Sequence, residues 1–465
     1  MLALRTAGRL RSRLAEVIAG EASPVPDPLT EGALTRDDVL DVLDAMVRMS
    51  EALLSAGASA ADVTALTLRA AAGSGLVHTQ VDITFTAVIV STAGPDRQPL
   101  TAVRVVRLRA TDYARLSRLY ELAHAAADGM PPAEITTRLK RLLSQRRPYR
   151  GSVSTLGAMG LAASVAVLLG GSWAVALSAA LVTGFLQVLL LAANQRGLPA
   201  FFQQVAGAGL ATTFALALLV WQPHLPGWVG PLPPSLVVGS GIVVLLAGWS
   251  LVGSAEDAIS GFYVTAGARA FETVLLTTGL VLGIAGVLDL GQRAGITLSL
   301  SFSPGEAPAL LVQVLAGAAC ALAWAVSGYA DGRAVLLAAL AGATATAAAG
   351  TGAILGLGPI ASAGVAALLV GFLAEGTAWR WNVPGLVVSI CGIVPLLPGL
   401  AIYRAIFALV GGSTSVGLTQ LISAVGTALA LAAGVTLGEF CSQPLRREFD
   451  RIEQRVRRRS LSRRF

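Results

Sequence analysis

The 288 residues from Gly151 to Gly438 contain six Arg, seven Asp or Glu and no Lys. Charged residues make up 13% of the whole chain, against about 25% in soluble domains, and hydrophobic residues make up 54%. A stretch this poor in charge belongs in a lipid bilayer. A transmembrane helix needs about 20 mostly apolar residues. Ten segments reach that length: roughly 152–171, 173–192, 201–221, 236–253, 270–290, 308–328, 334–354, 358–376, 384–409 and 415–437. The first two are joined by a very tight turn, and Pro395 and Pro398 interrupt the ninth.

Arginine placement orients these helices. Lys140, Arg141, Arg146, Arg147 and Arg150 precede the first, and nine Arg lie in the tail from Glu439 to Phe465. An even number of helices puts both ends on one side, and the positive-inside rule makes that side the cytoplasm. Arg196, Arg269, Arg333 and Arg380 fall on the same side, and Arg293 and Arg404 on the other. The loop "WQPHLPGWVGPLPPS" lies outside, with Trp221 and Trp228 at the interface. Five helices on either side of a break near 299–308 read as inverted repeats, a common transporter plan. The stretches ending at Arg269 and Arg404 then mark equivalent points of the two halves. The expected units are a small soluble α/β domain over 1–150, membrane halves over 151–300 and 301–438, and a basic tail over 439–465.

Residues 1–150 carry 19 Arg or Lys and 16 Asp or Glu, an ordinary soluble balance. Leu4, Leu10, Leu14, Val17 and Ile18 form one face of a basic amphipathic surface helix, or else belong to a frayed terminus. No continuous apolar core marks a signal peptide here. Two helices ending near Gly57 and Gly73 come next. "LVHTQVDITFTAVIVST" and "PLTAVRVVRLRA" then read as a hairpin about the turn "AGPDRQ", followed by two more helices. Cys320, Cys391 and Cys441 show no metal-type spacing and read as small apolar fillers.

Two segments concentrate polar groups where lipid makes them costly. In "SAEDAISGFYVTAGARAFE" (254–272), Asp257, Gly261 and Tyr263 lie between the fourth and fifth helices. Arg269 and Glu272, three apart, share a helix face and can pair. Read as a site, Arg269 holds a substrate carboxylate, and Asp257 or Glu272 an ammonium group or a proton. Read as a loop, the same residues are solvated charges with one ion pair. The second segment is "CGIVPLLPGLAIYRAIF" (391–407), where two prolines break or kink a helix. A broken helix exposes backbone groups that hold a small zwitterion. Pro395, Pro398, Gly399 and Arg404 are the candidates, with Ser413, Thr414 and Ser415 just beyond. The other reading is a plain proline kink. Glu375, inside the apolar "LLVGFLAEGTAW", is a candidate proton carrier. The run "AGATATAAAGTGAILGLG" (341–358) reads as close helix packing through small residues.

Enzyme signatures are missing. Lys140 is the single lysine and lies in no glycine-rich loop, which excludes an ATP-driven pump in one chain. His78, Asp82 and Ser91 fit surface positions better than a hydrolase constellation. No cofactor, metal or nucleic acid is expected. The partners are the bilayer, a small-molecule substrate, protons and, as one option, further copies of the chain.

From about residue 37 to 437 the sequence resembles the bacterial threonine/serine exporter family. The resemblance rests on "LLSAGASAADVTALTLRAAAGSGL", "VDITFTAVIVST", "TAVRVVRLRATDYARL" and "QRRPYRG", and in the membrane part on "LVGSAEDAISGFYVTAGARAFE" and "VPGLVVSICGIVPLLPGLAIYR". It implies a cytoplasmic N-terminal domain, ten membrane helices and export of L-threonine and L-serine driven by the proton-motive force. Split relatives linked to succinate-type dicarboxylate export keep that substrate open. A membrane-anchored sensor or hydrolase is the remaining alternative. Asp257, Gly261, Arg269, Glu272, Pro395, Pro398, Gly399 and Arg404 fall in the segments that carry the resemblance.

Overall fold

The computed structural model describes residues 34–295 and 308–461, apart from 77, 96–97, 107–110, 228–229, 247, 382 and 411. The expected surface helix at the N-terminus, Trp228 and the expected break near residue 300 lie outside these.

Helix α1 (Arg36–Ala56) opens where Thr35 and Asp38 cap each other reciprocally, and stops at Gly57, whose φ of 106° suits glycine. Its buried Val39, Val42, Leu43, Met46, Leu53 and Leu54 follow helical spacing. The hydroxyls of Ser50 and Thr67, 2.6 Å apart, tie it to α2 (Ala60–Gly73). Strands β1 (Thr79–Ile83), β2 (Ala87–Ala93) and β3 (Pro99–Val105) then form an antiparallel sheet in the order β1-β2-β3. The expected two-stranded hairpin is thus a three-stranded meander. Its first run folds back at Thr84, whose hydroxyl accepts the Ala87 amide, so that Val81 sits opposite Val90. Val88 and Val90 face inward, and α3 (Tyr113–Ala127) and α4 (Pro132–Ser144) complete the region.

The apolar part follows as α5 (Gly151–Leu168), α6 (Trp173–Gln195), α7 (Ala200–Trp221), α8 (Pro234–Gly241), α9 (Gly248–Ile259), α10 (Tyr263–Arg293), α11 (Leu310–Ser327), α12 (Gly332–Ile354), α13 (Pro359–Trp381), α14 (Gly385–Ile393), α15 (Gly399–Val410) and α16 (Thr414–Leu461). Among the described residues eight helices are long and apolar enough to cross a membrane. The pairs α8–α9 and α14–α15, each bent by more than 40° at a break, raise the number to ten if each pair is one span. Small residues bring helices together as expected: a side chain at Gly317 on α11 would strike Thr346 on α12.

Three boundaries differ from expectation. The fourth segment is broken between Gly241 and Gly248 and continues to Ile259, so Glu256 and Asp257 are helical. The fifth helix begins at Tyr263, which places Arg269 inside it. The last span and the start of the tail form one helix, and Glu439 lies within it.

Two large apolar cores organise the molecule. One gathers α5 to α8 with Leu280, Val281 and Ile284 of α10. The other joins the N-terminal region to α12, α13, α14 and α16. The broken pairs cross between them. From the first pair, α8 stays in the first core while Val252 and Ala255 of α9 enter the second. From the other pair, α14 stays in the second core while Ile402, Tyr403 and Ile406 of α15 enter the first.

Candidate functional site

The crossing point is defined by two glycines. A β-carbon on Gly248, the first residue of α9, would lie 2.9 Å from the Gly399 backbone nitrogen. One on Gly399, the first residue of α15, would lie 2.9 Å from the Leu246 β-carbon. Only two backbones without side chains approach this closely. The breaks before them are short 3₁₀ turns, Val243–Leu245 and Val394–Leu396, and Pro395 shapes the second. Pro398 and Gly399 are buried, and Pro395 is half-buried. Two helix N-termini, each with partial positive charge from its unsatisfied amides, therefore meet between the two cores. Freed carbonyls on the first broken pair are taken up by neighbours: Gln204 Nε2 donates to Leu245 at 3.2 Å and the Thr183 hydroxyl to Gly241 at 3.1 Å. Gly248, Gln204 and Thr183 were not singled out in the sequence.

A second centre lies at the α9–α10 turn. Gly261, with φ of 88°, reverses the chain, and the Phe262 amide closes the turn on the Asp257 carbonyl at 2.8 Å. The reversal brings Arg269 Nη1 within 3.1 Å of Asp257 Oδ2, with side chains 12% and 1% exposed. Among the described residues, then, the ion pair of Arg269 is with Asp257 and not with Glu272. Space for the guanidinium exists because position 253 is glycine, where a β-carbon would lie 2.6 Å from Nη1. Ser254 donates to the Ala266 carbonyl at 2.7 Å and locks the two helices together. Asp257 is nine residues past Gly248, about 14 Å along the helix, so the ion pair is separate from the crossing. On the side away from the crossing, the Thr265 hydroxyl donates to the Ile83 carbonyl of β1 at 3.0 Å.

The third feature is a cavity of about 660 Å³ between the N-terminal region and the membrane helices. Asp62, Arg69, Tyr120 and His124 line one side, and Glu375 of α13, Gly385 of α14 and Glu439 of α16 the other. The Ser389 hydroxyl donates to Glu439 Oε1 at 3.2 Å. Glu256 of α9 lies within electrostatic range of both Asp62 and Glu439, and also of Asp257 and Arg269. Burial, then the charge of Glu375, pushes the Asp62 carboxyl up, while the hydrogen bond from the Ser59 hydroxyl at 2.9 Å and the nearby Tyr120 hydroxyl oppose the rise. Of the candidates read from the sequence, Glu375 alone lines this cavity. Asp62 and Glu439 were missed, because nothing in their own segments marks them.

The remaining candidates are scattered. Tyr263 is 74% exposed, and Glu272 is half-buried on α10. Arg404, half-buried, lies in the second segment of a broken pair, whereas Arg269 lies in the helix after one. The two arginines therefore occupy different kinds of element, contrary to the equivalence read from the sequence. Ser413 just before α16 and Thr414 at its start are exposed. Ser91 bonds the Thr101 hydroxyl across the sheet at 2.9 Å, and Asp82 is exposed, as expected of surface positions. Cys320 and Cys391 are fully buried and Cys441 is exposed; all three are free.

The chain is similar to known sequences over nearly its whole length. A family model described as "Putative threonine/serine exporter" matches residues 44–291, and a second, "Threonine/Serine exporter, ThrE", matches residues 313–441. A protein of Mycobacterium tuberculosis described as "Probable threonine/serine exporter" is 38% identical over 458 residues, 95% of this chain and 85% of that protein. The "Threonine/serine exporter" of Corynebacterium glutamicum is 37% identical over 455 residues, 94% of this chain and 90% of that protein. No solved structure matches.

Proposed function

The chain belongs to the threonine/serine exporter family, and we propose that it exports L-threonine and L-serine across the cytoplasmic membrane as a proton-coupled secondary transporter. The observation that carries the mechanism is the contact of Gly248 with Gly399, where two broken helices cross. Discontinuous helices whose N-termini meet inside a membrane suit an anionic group, and the substrate carboxylate is placed there. The substrate hydroxyl and ammonium group turn toward the unwound carbonyls beside it.

Two halves related as inverted repeats are consistent with this crossing. Each half contributes one broken pair, and each pair sends its second segment into the other half's core. The two family models also divide between residues 291 and 313. Counted from the glycine at each break, Gly253 and Arg404 occupy matching positions, and the Arg269 guanidinium fills the space over Gly253. Both termini are assigned to the cytoplasm by the arginine distribution.

Coupling to protons is assigned to Asp257, which exchanges a proton when its pair with Arg269 parts. The carboxylates Asp62, Glu375 and Glu439 favour an amino acid over a succinate-type dianion, which they would repel at the mouth. The test is efflux of labelled L-threonine from proteoliposomes, with and without an imposed pH gradient. Gradient-dependent efflux, unaffected by excess succinate, is expected. Succinate movement without threonine movement would overturn the reading.

A further inference from the structure

The N-terminal region is held to the membrane helices very unevenly. At one end the contacts are dense and directional. The Tyr113 amide donates to the Gly328 carbonyl at 2.9 Å, and Trp324 Nε1 donates to the Tyr113 hydroxyl at 2.8 Å. The Tyr149 hydroxyl donates to the Val326 carbonyl at 2.7 Å, and its ring stacks on Tyr329 at 5.4 Å. Arg147 sits 4.4 Å over the Tyr329 ring, donates to its hydroxyl at 3.1 Å and is steadied by Asp112 at 4.0 Å. Tyr329, with φ of 59°, is the one non-glycine residue in the left-handed region among those described. A bulky residue keeps that conformation only where its surroundings over-determine it.

The other end of α3 is different. About 16 Å along that helix from Tyr113, it faces the cavity and its carboxylates. Asp62 meets Tyr120, Glu121, His124 and Asp128 from α3 and its end, Arg69 from its own helix, Glu375 from α13, Glu439 from α16 and Glu256 from α9. Acids outnumber bases in this set, and Arg69 and His124 are exposed at its margin. Apolar packing opposes their repulsion. Val63 and Leu66 belong to one core with Val383 and Val387, and this pulls the domain onto the helices.

We propose that the N-terminal domain is the gate over this side of the transporter, hinged at Gly328–Tyr329 and latched across the carboxylate cavity by protons. It rests on the exporter reading only for what passes the gate. Protonated carboxylates leave the apolar attraction unopposed and the gate shut. Ionised carboxylates repel across the cavity and loosen it, with the hydrogen bond from Thr265 to Ile83 given up on opening. The elevated Asp62 carboxyl agrees in sign: docking favours its protonated form, so docking weakens as pH rises through the elevated value.

The test uses spin labels on the purified full chain in lipid nanodiscs, with Cys441→Ser as background. One pair, Ala72→Cys with Gly376→Cys, reports across the cavity from exposed positions. The other, Ser144→Cys with Gly332→Cys, reports near the hinge. From mildly acidic to mildly alkaline pH, the cavity distance should lengthen and broaden while the hinge distance stays fixed. Asp62→Asn and Glu439→Gln, made separately, should each hold the cavity distance nearer its acid value. A cavity distance indifferent to pH, or a hinge pair that moves as much, overturns the proposal. Threonine efflux is measured in parallel on the unlabelled chain. A pH-dependent gate in a chain that moves no threonine would refute the exporter reading and leave the gate standing.

Discussion

Arg269 Nη1 stands 3.1 Å from Asp257 Oδ2 although twelve positions of sequence separate them, and both side chains are withdrawn from solvent. Removing one member of such a pair leaves an uncompensated charge, at a cost of about 3–5 kcal/mol. Asp257→Asn and Arg269→Gln should each lower the thermal stability of the purified protein markedly. The double variant should recover most of the loss, because neither charge is then stranded. Efflux should stay low in all three if Asp257 carries the proton. Additive stability losses in the double variant would show that the pair is not coupled.

The Gly248–Gly399 contact leaves no room for a methyl group on either side. Gly248→Ala meets backbone, which cannot move aside as a side chain can, and should cost about 1–3 kcal/mol. Gly399→Ala meets the Leu246 β-carbon, which its own backbone holds in place, and should cost on the same scale. Gly358→Ala, where a β-carbon finds open space, is the control and should behave as wild type. Both crossing variants should slow threonine efflux by more than their stability loss explains, since they push apart the two helix N-termini. Efflux at wild-type rate from a stable Gly248→Ala protein would remove the crossing from the transport path.

The eight spanning helices and the two bent pairs were legible as apolar segments because lipid demands long runs without charge, and that demand is local to each segment. The break at Pro395 and Pro398 was legible for the same reason, as proline acts on its own helix. The break before Gly248 was not. "GIVVLLAG" contains no proline, and its glycine is needed only because Gly399 crosses it from another part of the chain. Likewise Arg269 announced itself as a charge in an apolar setting, but its neighbour in sequence, Glu272, is not its partner in space. Asp62, Glu256, Glu375 and Glu439 come together from four helices. Asp62 and Glu439 look ordinary in their own segments, whereas Glu256 stands in a segment marked by its charges and Glu375 interrupts an apolar run.

Gln204 illustrates the polar support that broken helices require. Its Nε2 donates to the Leu245 carbonyl beside the first break, and Gln204→Leu keeps the size while stranding that carbonyl. A buried acceptor left without a donor costs about 1–3 kcal/mol. The variant should lose stability on that scale and slow efflux, whereas Gln203→Leu one position away should be less costly. Equal effects of the two substitutions in a thermal melt would show that the Leu245 carbonyl finds another donor.

Asp62 should make the stability of the whole chain pH-dependent in a definite direction. Its carboxyl is raised above its ordinary 3.8, first by burial and then by Glu375. A carboxyl raised on folding binds its proton more tightly in the folded than in the unfolded chain. Its contribution is therefore present in full below the ordinary value and is lost as pH rises through the elevated one. Paired surface carboxylates, whose values fall on folding, give the opposite slope, so the Asp62 contribution is read as a difference between two proteins. Across the range from mildly acidic to mildly alkaline pH, Asp62→Asn should lose less stability than wild type, and the two melting curves should separate most at the alkaline end. Parallel curves over the whole range would mean that Asp62 ionises in the folded protein as it does in water, and that repulsion from Glu375 and Glu439 does not reach it.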